Sequence, residues 1–230
     1  MRTTLSELRR YRILTTDGRL GLVDDVYFDD ERWDLKGLVV DTHSVFPGRK
    51  VVLPFQYIEV ADRGAKTLRV SRSTSAVKSA PDIKNYKPVS QSTECPGGVG
   101  RTRSRASRVL RRLLGTLHPA PRPPKPGERP PRGDLVIRDP HLRSAREVAG
   151  YRLQAEDGDA GRVEDFLLET ESRKLWFVIV GTRLWLPRGQ VVLRPDRIGH
   201  ISSADHKVYV HAPERDVRRS PKFDPYALAD

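Results

Sequence analysis

Cysteine is almost absent from this chain: Cys95 is the one copy in 230 residues. A single thiol excludes an internal disulfide and any cysteine-rich zinc site, and it suits a reducing compartment. Cys95 lies in Glu94-Cys95-Pro96-Gly97-Gly98, a flexible setting that reads as inert rather than nucleophilic. Long apolar runs are absent too. Nothing approaches the ~18 consecutive apolar residues that a membrane-spanning helix needs. The opening segment, through Leu14, carries no signal-peptide core. The expectation is a soluble, cytoplasmic, bacterial protein. Hydrophobic residues make up 37% of the chain and aromatics 7%, which is low for a compact globule, so part of it should lie outside any core.

Constellations for chemistry are equally scarce. His43, His118, His141, His200, His206 and His211 show no metal-ligand spacing. No nucleophile elbow surrounds any serine. Gly97-Gly98 and Gly100 precede no Lys-Ser/Thr pair, so no phosphate loop is visible. Asp24-Asp25 with Asp29-Asp30-Glu31 is the densest acid cluster, but its spacing is not that of a calcium loop. Strand alternation would place Asp24 and Asp25 on opposite faces, as solvated strand ends and turns. The expectation is a protein that is not an enzyme, with no catalytic residues, no metal, no cofactor and no small-molecule substrate.

What the chain does have is a repeat. Shifted by 140 residues, its two ends align without a gap. Thr4 falls on Ser144, Glu7 on Glu147, Tyr11-Arg12 on Tyr151-Arg152, and Asp17-Gly18 on Asp157-Gly158. Gly21 falls on Gly161, Val23 on Val163, Asp25 on Asp165, Val51-Val52-Leu53 on Val191-Val192-Leu193, and Pro81 on Pro221. A unit this long that occurs twice is a duplicated domain rather than a solenoid. Thr4 to Glu7 and Ser144 to Glu147 are capping boxes that open short helical turns. Asp17-Gly18 and Asp157-Gly158 predict type I′ hairpins. Gly21 and Gly161 predict a bulge or tight bend in the returning strand. Leu35 to Val40, Leu175 to Val180 and the Val-Val-Leu segments read as strands. Each half is thus a small all-β, antiparallel unit, best closed as a barrel to remove its edges.

In the first half, Asp17-Gly18, Gly21, Val23, Asp25, Leu38-Val39-Val40-Asp41 and Val51-Val52-Leu53-Pro54 occur in a fixed order. The second half offers Asp157-Gly158, Gly161, Val163, Asp165-Phe166, Trp185-Leu186-Pro187 and Val191-Val192-Leu193. In both halves this order resembles the PRC-barrel domain. The resemblance extends to the cytoplasmic domain of the photosynthetic reaction centre H subunit and to the C-terminal domain of a ribosome maturation factor. It implies two tandem barrels that dock onto other macromolecules and carry no catalytic residues. The domains expected are a first barrel over 1–81, a linker over 82–140, a second barrel over 141–224 and a tail over 225–230.

The linker differs in composition. Pro119 to Gly133 is proline-rich and basic, a composition that favours extended, disordered chain. From Lys84 to Asp134 there are twelve Lys and Arg against three acids, so +9 of the net +12 lies there. Within it, Arg105 to Leu117 places Val109, Leu110, Leu113, Leu114 and Leu117 on one helical face. That face can pack on the chain's own sheets, seat in a partner's groove or lie on an anionic membrane. Arg101, Arg103, Arg105, Arg108, Arg111 and Arg112 are the candidate residues for an anionic surface, membrane or RNA. Trp33 and Phe46 are the candidate contacts to a protein partner, since exposed aromatics near loops anchor interfaces. Trp185 and Leu186 read as a barrel plug. The function expected is an adaptor that docks protein partners through its barrels; the alternative is a peripheral membrane- or RNA-associated protein targeted by residues 101–117.

Overall fold

A computed structural model of the protein describes residues 1–43, 45, 49–78, 88, 139–182 and 189–225. The fold is all-β, built on two sheets. The first half opens with β1 (Arg2–Thr4) and the one-turn helix α1 (Leu5–Leu8). It continues with β2 (Arg12–Thr15), β3 (Gly18–Asp29), β4 (Leu35–Asp41), β5 (Lys50–Pro54), β6 (Ile58–Asp62) and β7 (Thr67–Val70), and ends in α2 (Thr74–Lys78). The second half repeats the list: β8 (Leu142–Ser144), α3 (Ala145–Val148), β9 (Arg152–Gln154), β10 (Asp159–Glu169), β11 (Lys174–Gly181), β12 (Gln190–Leu193), β13 (Ile198–Ser202), β14 (Lys207–Val210) and α4 (Glu214–Arg218).

The strand order is β5-β4-β3-β2-β7-β6 in one sheet and β12-β11-β10-β9-β14-β13 in the other. Each sheet departs from the antiparallel expectation at one pair: β2 runs parallel to β7, and β9 runs parallel to β14. The single-turn 3-10 segments Phe55–Tyr57 and Pro195–Arg197 feed the β6–β7 and β13–β14 hairpins back to that edge.

The short opening strands do not join their own sheets. β1 pairs with β10, as Arg2↔Glu169, Thr3↔Leu168 and Thr4↔Leu167. β8 pairs with β3, as Leu142↔Asp29, Arg143↔Phe28 and Ser144↔Tyr27. Adding 140 to one set of numbers gives the other, so the exchange is reciprocal and obeys a pseudo-twofold axis. The axis passes the start of β4 and β11, where Asp34 pairs with Lys174. Leu35 N–H donates to Arg173 O at 2.8 Å, and Leu175 N–H donates to Trp33 O at 2.9 Å.

Backbone strain repeats as well. The non-glycine residues with positive φ come in pairs 140 apart: Trp33 (59°) with Arg173 (56°), and Lys66 (50°) with His206 (52°). A side chain in the left-handed region costs on the order of 1–3 kcal/mol. Its recurrence at matched turns means that the hairpin geometry demands it.

The two halves share one hydrophobic core. Leu8, Ile13, Leu20, Val26 and Phe28 from the first half and Val148, Leu153, Val163, Phe166 and Leu168 from the second form a single buried cluster. Phe28 touches Phe166 with ring centroids 5.6 Å apart. Small barrels of this size bury little apolar surface alone. Here each completes its core with the other, and both lie in one compact unit. A second, smaller cluster of Tyr27, Val39, Val52 and Leu142 lies under the exchanged β8.

Local signals in the sequence find their roles. Glu7 N–H donates to Thr4 Oγ1 and Glu147 N–H to Ser144 Oγ, both at 3.1 Å, so both capping residues act as predicted. Gly21 and Gly161 sit beside register shifts in β3 and β10. A Cβ on Gly21 would lie 1.9 Å from Asp41 O, and one on Gly161 (φ +114°) would lie 2.4 Å from Gly181 O. The type I′ expectation fails. The two-residue turn in the first half is Thr16-Asp17, and neither residue has positive φ. Asp17 serves the last helix instead: its Oδ1 accepts from Thr74 N–H at 2.7 Å and from Thr74 Oγ1–H at 2.8 Å. Asp157 does the same for Glu214 N–H at 2.6 Å. These bonds, led by the one from Thr74 N–H, hold the Asp17 carboxyl below the usual range.

Candidate functional site

The densest polar chemistry lies where β8 and α3 cross β3. A register shift between Val23 and Asp25 turns β3 so that Asp24 and Asp25 reach the same neighbour, rather than opposite faces. Asp25 is 5% exposed, not a solvated strand end. Its Oδ1 accepts from Val26 N–H at 2.7 Å and from Arg146 N–H at 2.8 Å; its Oδ2 accepts from Ser144 Oγ–H at 2.5 Å. Asp24 Oδ1 accepts from the Arg146 guanidinium and Oδ2 from Lys50 Nζ, each at 2.8 Å. Burial pushes the Asp25 carboxyl up to about 6. The bonds from Ser144, Arg146 and Val26 oppose that rise, and the Asp24 charge adds to it.

The neighbouring acids are also engaged. Asp30 meets Arg143 Nε at 2.5 Å and His141 Nδ1 at 3.0 Å, both from the exchanged segment. Asp29 accepts from Arg32 N–H at 2.9 Å and Glu31 N–H at 3.0 Å, and pairs with Lys36 at 3.0 Å. Burial works against ionisation of Asp29, and these bonds outweigh it, so its carboxyl is held below the usual range. Asp24, Asp25 and Asp30 therefore clasp the two halves, while the Asp29 side chain is tied within the first.

The second half has the matching clasp with different chemistry. Asp165 accepts from Ser6 N–H at 3.2 Å and Phe166 N–H at 2.8 Å, and burial raises its carboxyl against those bonds. Glu164 stands where Asp24 stands, but accepts from Gln190 Nε2 at 2.5 Å. Arg146 and Lys50 are thus replaced by Ser6 and Gln190, and the two cations that fill the first clasp are gone. What remains is an open polar groove of about 950 Å³, lined by Ser6, Gly150, Arg152, Gly161, Glu164 and Gln190 among others.

Of the residues singled out in the sequence, Trp33 is 9% exposed and does not face a partner. Its left-handed backbone folds the ring inward, where it stacks on Phe28 with centroids 5.6 Å apart. Phe46, the plug residues Trp185 and Leu186, and Arg101, Arg103, Arg105, Arg108, Arg111 and Arg112 lie outside the described residues. Among the histidines, His200 stacks on Tyr209 at 4.3 Å and His206 meets the edge of Tyr151 at 5.1 Å. Among the described residues no group of three or more His, Cys, Asp and Glu is placed to hold a metal, and no helix is long and apolar enough to cross a membrane.

The first half, with its exchanged opening strand and its Asp-capped last helix, now has a defined geometry. Residues 3–77 match the PRC-barrel domain family. No curated protein matches the chain. The PRC-barrel segment runs from β1 to α2, and so it includes a strand that the fold hands to the other sheet. The PRC-barrel domain suggests, in general, a protein-interaction module. Sequence reasoning missed the buried role of Asp25. The available signal was its matched partner Asp165, since an acid repeated at the same place in two halves is more than surface decoration.

Proposed function

We propose that the chain is a non-enzymatic adaptor that docks protein partners through two fused PRC-type barrels. The second half is then a diverged PRC barrel, with the same strand order, the same exchanged strand and the same capping aspartate. The observation that carries this reading is the reciprocal exchange of β1 and β8 over a shared core. It makes a double module over one core in which the acid cluster is consumed by structure, leaving surface for recognition. The basic segment 84–134 keeps a second reading alive, in which residues 101–117 bind an anionic membrane or RNA and so set location.

The test is affinity capture from native extract with the full chain and with a full-length variant in which Arg101, Arg103, Arg105, Arg108, Arg111 and Arg112 become Ser. The adaptor reading expects a defined protein partner kept by both forms at high salt. Capture of lipid or RNA alone, by the unaltered chain alone and only at low salt, would overturn it in favour of the second reading.

A further inference from the structure

The outer face of β2, β7 and the first part of β3, before Asp24, lies beside the first clasp and takes no part in it. Ile13, Leu20 and Leu68 point inward and are fully buried. The outward positions are Arg12 and Leu14 on β2, Arg19 and Leu22 on β3, and Thr67 and Arg69 on β7. Register interleaves them. Arg19, Leu14 and Arg69 form one row across the strands, and Leu22, Arg12 and Thr67 form the next. Leu22 is 49% exposed, the one large hydrophobic so exposed among the described residues. It faces outward because the bulge beside Gly21 turns Leu20 and Leu22 to opposite sides of the strand.

Arg12, Arg19 and Arg69 are exposed, and among the described residues their side chains make no ion pair or hydrogen bond. The cations around the pseudo-twofold axis behave otherwise: Lys36, Lys50, Arg143, Arg146 and Lys174 are all paired. The two rows themselves hold no acid; Asp24, two residues beyond Leu22 on β3, is already paired with Lys50 and Arg146. At its rim Asp17 caps α2, Asp41 accepts from His43 N–H at 3.0 Å and Asp62 accepts from Ala65 N–H at 2.9 Å, while Glu59 shares with Leu14, Arg19 and Arg69 a groove of about 530 Å³ that forms one side of the face.

We infer that this face, centred on Leu14 and Leu22 and ringed by Arg12, Arg19 and Arg69, is the docking surface for an acidic segment with interspersed apolar residues on a protein partner. The inference rests on the adaptor reading and names the chemistry of its partner. Guanidinium groups pair with carboxylates in a planar fork. The leucines between them gain only from apolar contact. A surface for single-stranded nucleic acid would interleave its cations with aromatics that stack on bases, and none stands at these outward positions. The second half makes the contrast. There the corresponding residues are Arg152, Gln154, Asp159, Arg162, Lys207 and Tyr209, with Gln154 bonded to Lys207 at 3.0 Å. An acid replaces one arginine and both leucines are gone, so only the first half offers this surface.

The experiment pans a random 16-residue peptide display library against the immobilised full chain, followed by affinity measurement of the enriched peptides at physiological salt. Acidic peptides containing Leu, Ile or Phe are expected. Their binding should fall by at least ~10-fold in Arg12→Glu/Arg19→Glu/Arg69→Glu, because three attractive charges become repulsive. Leu22→Ser alone should weaken it by a factor of ~3 to 10, the cost of one uncovered leucine contact. A control with the same change of charge elsewhere, Arg9→Glu/Arg10→Glu/Arg219→Glu, should retain it, and thermal melting confirms that every variant is folded.

Absence of enrichment, enrichment without acidic bias, or equal loss in the control overturns the inference. So does binding of poly(U) or of phosphatidylserine vesicles that is lost in the Arg12/Arg19/Arg69 variant while acidic peptides fail to enrich. If native extract yields a protein partner that the variant still captures, this face is wrong and the adaptor reading stands. If no protein partner is captured by any form, the adaptor reading itself fails.

Discussion

The clasp at Asp25 and the clasp at Asp165 occupy equivalent places, and they differ in what fills them. At the first, Arg146 and Lys50 close on Asp24 while Ser144 and Arg146 cap Asp25. At the second, Ser6 and Gln190 take those places and a groove opens. What both halves keep is bound to the backbone: an aspartate receiving N–H groups from the exchanged segment, a glycine where a Cβ would strike a carbonyl, and turn residues in the left-handed region. What diverges is side-chain charge at positions where the backbone has no stake. The two halves share the frame and differ in the surface.

The largest effect should test whether the halves are one unit at all. Phe166→Ala removes a ring that touches Phe28 across the shared core, and should destabilise by about 3–5 kcal/mol. Urea unfolding followed by hydrogen exchange should show protection lost in both halves together. Loss confined to the second half would mean two independent barrels.

The clasps should differ next in their response to pH. The Asp25 carboxyl is raised from 3.8 to about 6, chiefly by burial. A raised carboxyl gives stability that is fully present below the unfolded value and lost as pH climbs through the folded one. Relative to Asp25→Asn, the native chain should lose on the order of 3 kcal/mol between pH 4 and pH 7.5. Asp165→Asn should shift in the same direction by less, since Asp165 is only partly buried. Urea midpoints across that range check both, and a flat difference for Asp25 would remove the buried-carboxyl reading.

The capping aspartates should differ more modestly. Asp17 accepts three hydrogen bonds from Thr15 and Thr74. Asp157 has one from Glu214 N–H. Asp17→Ala should therefore lower the melting temperature more than Asp157→Ala, as read by calorimetry. The smallest effect should come from exchanging the chemistry of the clasps. Arg146→Ser removes a half-exposed ion pair, and should cost about 0.5–1 kcal/mol, weakening with salt. Ser6→Arg places a cation beside Glu164, which Gln190 already bonds, and should narrow the open groove with a gain of a few tenths of a kcal/mol at most.

Much of the frame was legible in advance. Matched glycines, capping residues and Val-Val-Leu segments gave the internal repeat and its strands, because each is a local demand of the backbone. The parts that were not legible depend on contacts distant in sequence. A three-residue strand such as Arg2–Thr4 carries no pattern that says which sheet it will join. The register shift at Val23/Asp25 brings Asp24 and Asp25 to the same neighbour, and strict alternation cannot see it. Asp17 looked like turn chemistry because its true partner, Thr74, lies at the far end of the half. Trp33 looked available because nothing local announces a tryptophan in the left-handed region.

The pair at the axis has one more implication. Asp34 and Lys174 are equivalent positions that meet each other, with Nζ and Oδ1 2.5 Å apart. In a homodimer of identical subunits, a residue on the twofold axis can only meet its own copy, so a charge there always faces like charge. Joining the subunits into one chain lifts that restriction. An acid on one side and a base on the other become permitted, and the junction can be tied by a bond that perfect symmetry forbids.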